Sequence, residues 1–383
     1  MARIGVDATM LLHGVRAGRR HTRNLLSELL RLYPNDVWRL LYFDRKGTTP
    51  GRLPLAPGAP SGEVVSRLPM RLLLTPWRTI GYPVADTWLG KVDVLYAPDL
   101  LFPPTRRAPV LCTIRGVAYL AIPRLCEPDK VRVLNEAFAY ARRRAHHFLA
   151  VSESTKQDLL ALTDVPAERI HVVTHGIDPV FRRLDRAMCR EFVAARYGVR
   201  RPFLLYVGVI GRHKNIRGLL EAMAAAGPSL KEVDLVLAGP FEPEAERART
   251  FAADAGLADR VHFIGAVGQE DETLTRLYNA ALALAHPTFY EGWCATPLEA
   301  MACGCPVVAS DIASVREVVE DAGWLVPPDD VDGWRRALIG IVEDEARRTD
   351  MARSGVGHAA QHTWERAAHR LRRVLAAVQE AGR

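Results

Sequence analysis

Two glutamates, Glu291 and Glu299, stand with seven residues between them in the segment Glu-Gly-Trp-Cys-Ala-Thr-Pro-Leu-Glu. The first lies in a Gly-containing loop just after the apolar run 282–285 and Pro287. The second lies in a helix pattern that starts near Thr296 and Pro297. Proline at a helix start is preorganised and gives up an N–H that would be unpaired there anyway. A helix start also presents free N–H groups and the positive end of a dipole, which together suit a phosphate. A loop carboxylate beside it can accept hydrogen bonds from sugar hydroxyls. A carboxylate less than one turn into the helix can accept them from a ribose. Taken alone, the two acids equally suit a helix N-terminus and a solvated helix face.

Other candidates are single residues. Lys214 ends Gly211-Arg-His-Lys214, in a loop after the apolar run 203–207. A compact ammonium suits a phosphate charge, although a lone loop lysine is commonly just solvated. Arg115-Gly116 follows the run 110–114, and a guanidinium fork suits a phosphate or an acidic acceptor. Asp330-Val-Asp332 imitates a metal-binding pair, but it follows two prolines and precedes a helix pattern, so Asp330 reads as an N-cap. His146-His147 follows Arg142–Arg144 at a helix end, where cations suit the dipole. There is no Gly-x-x-x-x-Gly-Lys-Ser/Thr loop, no Gly-x-Ser-x-Gly elbow and no full Gly-x-Gly-x-x-Gly, which counts against a dehydrogenase. The six cysteines are scattered, and Cys303-x-Cys305 lacks the second pair that a zinc site needs, so they read as reduced thiols.

The elements that must carry these residues are short apolar runs alternating with helix patterns. Runs at 4–6, 37–43, 92–96, 110–114, 148–151 and 170–173 alternate with helices expected at 22–32, 131–147 and, capped by Ser152, to about 162. Residues 16–20 are expected in a Gly- and Arg-rich loop, and 46–69 in one long Pro- and Gly-rich loop. The alternation resumes with runs at 203–207, 235–238, 261–264, 282–285, 307–309 and 324–326. Such alternation predicts an α/β fold of parallel sheets covered on both faces, with ligands at the carboxyl ends of the strands. A chain of 383 residues suits two domains. Their boundary is expected in the linker 175–184, dividing 1–177 from 178–363, with a C-terminal helix at about 364–383 packing back on the first domain. Residues 1–180 hold 25 Lys and Arg against 16 Asp and Glu, and the remainder 26 against 28. The basic half could face an anionic acceptor or membrane surface, or simply water. It lacks the interleaved aromatics of a nucleic-acid module, so no nucleic acid is expected. No apolar run reaches the length of a membrane span, and the first residues read as a buried strand, so a cytoplasmic location is expected, with peripheral contact at the inner membrane surface left open.

The Glu-x7-Glu segment continues Ala-Met-Ala-Cys-Gly-Cys-Pro-Val-Val-Ala-Ser310. The whole resembles the signature of retaining glycosyltransferases of family 4, the group 1 enzymes with the GT-B fold of two facing Rossmann-like domains. Gly5-Val-Asp-Ala8, His21-Thr-Arg-Asn-Leu-Leu26, Tyr206-Val-Gly-Val-Ile-Gly-Arg-His-Lys-Asn215, Phe263-Ile-Gly-Ala-Val267 and Thr363-Trp-Glu-Arg-Ala367 resemble further segments of that family in the same order.

The resemblance implies transfer of a hexosyl group, with retention, from a UDP- or GDP-linked sugar to a glycan, glycolipid or natural-product acceptor, without metal or cofactor. It implies that Lys214, with Arg212, meets the donor diphosphate. Glu291 with the backbone of Gly292, Trp293, Cys294 and Ala295 would orient the sugar. Thr296 and Pro297 would meet the phosphate, Glu299 the ribose and Val267 the base, and Gly208 would keep the backbone clear of the diphosphate. Lys214, Glu291 and Arg115 are the candidates for catalysis. Gly18, Arg19 and Arg115 fall on the acceptor side. The sequence departs from the pattern there: Arg115-Gly116 stands in place of His-Asp, and Arg16-Ala-Gly-Arg-Arg20 in place of a loop close to Gly-Ile-Gly. Val209 stands where some members carry arginine. An alternative is a nucleotide-sugar-binding protein that transfers poorly and acts through a partner.

Overall fold

The computed structural model describes residues 1–13, 16–47, 52, 53, 55, 61–268 and 272–382, and the side chains of His13, Arg16 and Ala17 lie outside that description. The chain divides into two units. The first comprises Met1–Ala121, Pro128–Gly176 and Thr363–Arg383, and the second Ile122–Glu127 and Ile177–His362.

In the first unit, seven parallel strands form one sheet in the order β3-β2-β1-β4-β5-β6-β7. They are β1 (Arg3–Asp7), β2 (Val37–Phe43), β3 (Gly62–Ser66), β4 (Val94–Ala97), β5 (Val110–Ile114), β6 (His147–Ala150) and β7 (Ile170–Val172). β4 and β5 are buried throughout, as expected of central strands covered on both faces. The order reverses between β1 and β4, so the loops leaving their carboxyl ends diverge and open a crevice.

Two expectations fail here. The helix after β1 spans Arg16–Leu32, so Gly18, Arg19 and Arg20 are helical. Arginine and alanine are good helix formers, and their lack of an apolar period does not prevent a helix. Residues 62–66, expected in a loop, form β3 at the sheet edge, paired from Arg39↔Gly62 to Phe43↔Ser66. Two valines suffice because β2 offers a free edge. Within the expected loop, residues 48–51, 54 and 56–60 lie outside the described residues.

The closing helix Trp364–Ala381 buries Trp364, Ala367, Ala368, Leu371, Leu375 and Val378, one stripe at helical spacing. It joins the core of the first unit with Leu25, Leu29 and Trp38. Thr363 caps it, accepting from Arg366 N–H. Arg372 donates to Asp36 at 2.6 Å.

The second unit has six parallel strands in the order β10-β9-β8-β11-β12-β13. They are β8 (Phe203–Val207), β9 (Asp234–Ala238), β10 (Val261–Gly265), β11 (Ala283–His286), β12 (Val307–Ser310) and β13 (Trp324–Val326). This order reverses between β8 and β11. Their core gathers Leu204, Tyr206, Leu219, Leu235, Leu237, Ala285 and Trp334. Asp330 caps the helix Val331–Glu343, accepting from Gly333 N–H at 2.8 Å. No described helix is long and apolar enough to cross a membrane.

Candidate active site

In the second unit the switch point is built by the loops after β8 and β11. Gly208 follows β8 at φ 152°, and a Cβ there would lie 2.7 Å from Tyr206 Oη. Gly239 follows β9 at φ 155°, and a Cβ there would lie 1.8 Å from Gly208 O. Neither position admits a side chain, so the two backbones touch and the β8 loop stays slim. That loop ends in a 3₁₀ turn, Arg212–Lys214, and then Asn215 at φ 53°. Asn215 accepts from Gly218 N–H and donates to Pro328 O at 2.6 Å, which anchors the turn carrying Lys214.

The β11 loop is sewn to this turn. Phe289 N–H and Thr288 Oγ1 both donate to His213 O, at 2.9 and 3.2 Å. The stitch brings Glu291 to Lys214, whose ammonium donates to Oε1 at 2.5 Å. His286, the last residue of β11, meets the same oxygen through Nε2 at 2.9 Å. Its ring stacks on Tyr206, with centroids 6.1 Å apart and planes at 11°. Burial pushes the Glu291 carboxyl up, but the Lys214 ammonium and the His286 hydrogen bond outweigh it and hold the pKa at about 2. Oε2 of Glu291 has no partner among the described residues. One carboxylate oxygen is therefore held by two partners, and the other by none among the described residues.

His286, Glu291 and Cys294 each bring one ligand atom, all within 4.8 Å of one another. Burial, then the charge of Glu291, raises the Cys294 thiol well above its usual range. A divalent cation would have to strip that proton and displace the Lys214 ammonium, so this donor set suits an ammonium better than a metal.

The helix after this loop spans Ala295–Ala302, and its N-cap residue Cys294 makes no side-chain cap bond. Pro297 is its third residue, not its first, yet it still spares one of the unpaired first-turn donors. Glu299 is buried at 4% exposure and accepts from Tyr278 Oη at 3.0 Å, so it is not on a solvated helix face. Trp293 is buried, 6.1 Å from the His362 ring. Gly292, Ala295 and Thr296 are partly exposed. Arg212 is exposed, with no ion-pair partner among the described residues. Val267, just beyond β10, is half-buried.

In the first unit, Asp7 ends β1 and Arg115 follows β5. Arg115 Nη2 donates to Thr22 Oγ1 at 3.0 Å and approaches Met10 Sδ at 2.7 Å. A Cβ on Gly18 would lie 3.1 Å from Arg115 Nη1. Gly18 thus makes room on a helix for a guanidinium, instead of admitting a ligand to a loop. Arg19 is half-buried on the same helix. Asp7 is bonded by Thr9, whose N–H donates at 3.1 Å. Burial raises its carboxyl pKa to about 6 against that help. His146, expected as a cation, accepts from Val110 N–H at 3.1 Å, and burial lowers its pKa.

Two family models match the chain. One describes glycosyl transferases group 1 and matches residues 192–356; the other describes glycosyltransferase family 4 and matches residues 18–181. The chain belongs to the group 1, family 4 glycosyltransferases. The glycosyltransferase is 28% identical over 297 residues to O-antigen chain mannosyltransferase B of Escherichia coli, covering 77% of each chain. It is 32% identical over 295 residues to the D-inositol 3-phosphate glycosyltransferase of Salinispora tropica, covering 73% of this chain and 60% of that relative. Among solved structures it resembles sucrose-phosphate synthase from Thermosynechococcus elongatus, with TM-score 0.75, 20% identity and full coverage of both chains. Its fold is GT-B, built of two Rossmann-like parallel-sheet units.

Sequence reasoning had Lys214 and Glu291 but not the pair they form in the glycosyltransferase, and it missed His286 and Tyr206. A signal was available: His286 ends an apolar run and precedes a proline five residues before Glu291. It missed Asp7 and the contact between the His21 and His175 rings, which are tilted at 32° with centroids 3.8 Å apart.

Proposed function

We propose that this glycosyltransferase transfers a hexosyl group, with retention and without a metal, from a nucleoside-diphosphate sugar to a carbohydrate-containing acceptor. The donor would be UDP- or GDP-linked, and its binding site would lie on the second unit. The acceptor, a glycan, glycolipid or natural product, would lie on the first. The observation that carries this reading is the Lys214–Glu291–His286 cluster at the β8/β11 switch point, beside an uncapped helix start.

Without ligand, the ammonium and the carboxylate neutralise each other. An incoming diphosphate would take over the Lys214 charge, helped by Arg212 and by the first-turn N–H groups near Thr296. Glu291 stays ionised and held by His286, and its Oε2 would accept from hydroxyls of the transferred sugar. Gly208 leaves the diphosphate room, Val267 would lie against the base, and Glu299 would reach the ribose hydroxyls. As the bond from the anomeric carbon to the diphosphate breaks, negative charge grows on the phosphate oxygen, where these donors act. The acceptor oxygen bonds to the same face of the anomeric carbon, and its proton passes to the departing phosphate oxygen. The likeness to a mannosyltransferase supports a hexosyl donor.

The test is thermal stabilisation by a panel of nucleoside diphosphates and nucleotide-sugars, followed by an assay for sugar release. Stabilisation by one base with measurable release is expected. No stabilisation by any nucleotide would overturn the reading. Stabilisation without release, with or without acceptors, would favour a binding protein that transfers poorly.

A further inference from the structure

Arg115 is a largely buried cation without a buried anion to balance it. Among the described residues no carboxylate lies within ion-pair distance of it, and Asp99 acts on it only from farther away. The two groups that its Nη2 meets, Thr22 Oγ1 and Met10 Sδ, are both neutral. Its Nε is buried with no hydrogen-bond partner. Gly18, His21 and Thr22 sit three and four residues apart on one helix and share the face that meets this guanidinium. His21 is 6% exposed, and its Nδ1 is also buried without a partner. The His21 ring lies 3.8 Å from that of His175 and 5.4 Å from Trp364, centroid to centroid. Burial holds both imidazoles well below their usual pKa, helped by Arg115 and Arg20 and, for His21, first by His175. The cluster is therefore rich in cations and N–H groups. Arg115, Arg20 and His175 keep part of their surface exposed, so a ligand can reach them.

Burying a guanidinium without a counter-charge is costly, and the cost falls when an oxyanion takes its fork. We propose that the crevice at the carboxyl ends of β1, β4 and β5, lined by Arg115, His21, His175 and Arg20, binds a compact oxyanion carried by the sugar substrate of the first unit. The group is a carboxylate or a phosphate monoester. The inference rests on the reading that the first unit takes a carbohydrate substrate, and it narrows that substrate to an acidic one.

The test uses the full chain labelled with ¹⁵N-arginine. The Arg115 Nε–Hε signal is assigned by its loss in Arg115→Gln or, should that variant not fold, in Arg115→Lys. Glucuronate, glucose 6-phosphate and glucose are titrated separately. We expect a saturable shift with one or both acids, at least about tenfold tighter than with glucose. The tighter of the two acids tells carboxylate from phosphate. A signal unmoved by both acids, moved equally by glucose, or moved only by a nucleoside diphosphate would overturn the proposal. Nucleotide stabilisation reports on the second unit. A protein stabilised by nucleotide whose Arg115 signal ignores both acids loses this inference and keeps the proposed function.

Discussion

The two units place charge at the same topological position and treat it in opposite ways. At the β8/β11 switch a lysine and a histidine converge on one oxygen of Glu291, and the charges cancel within 2.5 Å. Near the β1/β4 switch Asp7 is buried and Arg115, after β5, is largely so, yet they do not pair. Burial raises the Asp7 carboxyl to about 6, so it holds its proton only in acidic solution, and Arg115 keeps a charge that no carboxylate within ion-pair distance balances. The first arrangement is balanced within itself. The second holds a guanidinium with only neutral hydrogen-bonding partners. One sheet geometry thus supports a charge-exchanging site or a charge-demanding one, depending on which side chains end its strands.

Breaking the compensated pair should have the largest effect. Lys214→Ala leaves Glu291 buried with only His286, a change expected to cost about 3 kcal/mol of stability in the second unit. It should also weaken nucleoside-diphosphate binding by about a hundredfold. Denaturant unfolding and calorimetric titration of the variant read the two effects separately. Unchanged donor affinity would remove Lys214 from the site.

Asp7→Asn comes next and tests the other side. The folded chain keeps a proton on Asp7 that the unfolded chain releases between the ordinary value of 3.8 and about 6. This group's contribution therefore declines as pH rises through that window and stays low above it. The variant should match wild type near pH 4 and exceed it at neutral pH by on the order of 2–3 kcal/mol. Unfolding curves at the two pH values decide, and equal differences at both would refute the burial argument.

Arg115→Met should give the smallest shift, and in the opposite direction to Lys214→Ala. Replacing an unbalanced buried cation by an apolar chain of similar reach is expected to stabilise the protein by about 1 kcal/mol, or a few degrees in Tm. Transfer to the native acceptor should fall. A loss of stability as large as that of Lys214→Ala would erase the contrast between the units.

Much of the fold was legible in the residues. β2, β5, β8 and β13 run between the residues expected of them, because each is an apolar run cut off by polar or glycine positions. Ser152 and Asp330 cap the helices they were expected to cap. β3 was not legible, because a two-valine edge strand depends on the neighbour that pairs with it. The helical state of Arg16–Arg20 was not legible either, because that stretch has a glycine and no apolar period to mark a helix.

The Glu-x7-Glu spacing, the lysine after the first strand of the second unit and the α/β alternation were set by sequence alone. They follow from local periodicity and from motifs whose parts lie within a few turns of one another. Only the tertiary structure decided that Lys214 and His286 share one oxygen of Glu291, and that His21, His175 and Arg115 crowd one crevice. Apart from His286 and Glu291, which are five positions apart, those contacts join residues dozens to more than a hundred positions apart, and it is burial, not spacing, that turns their proximity into charge balance in one unit and charge demand in the other.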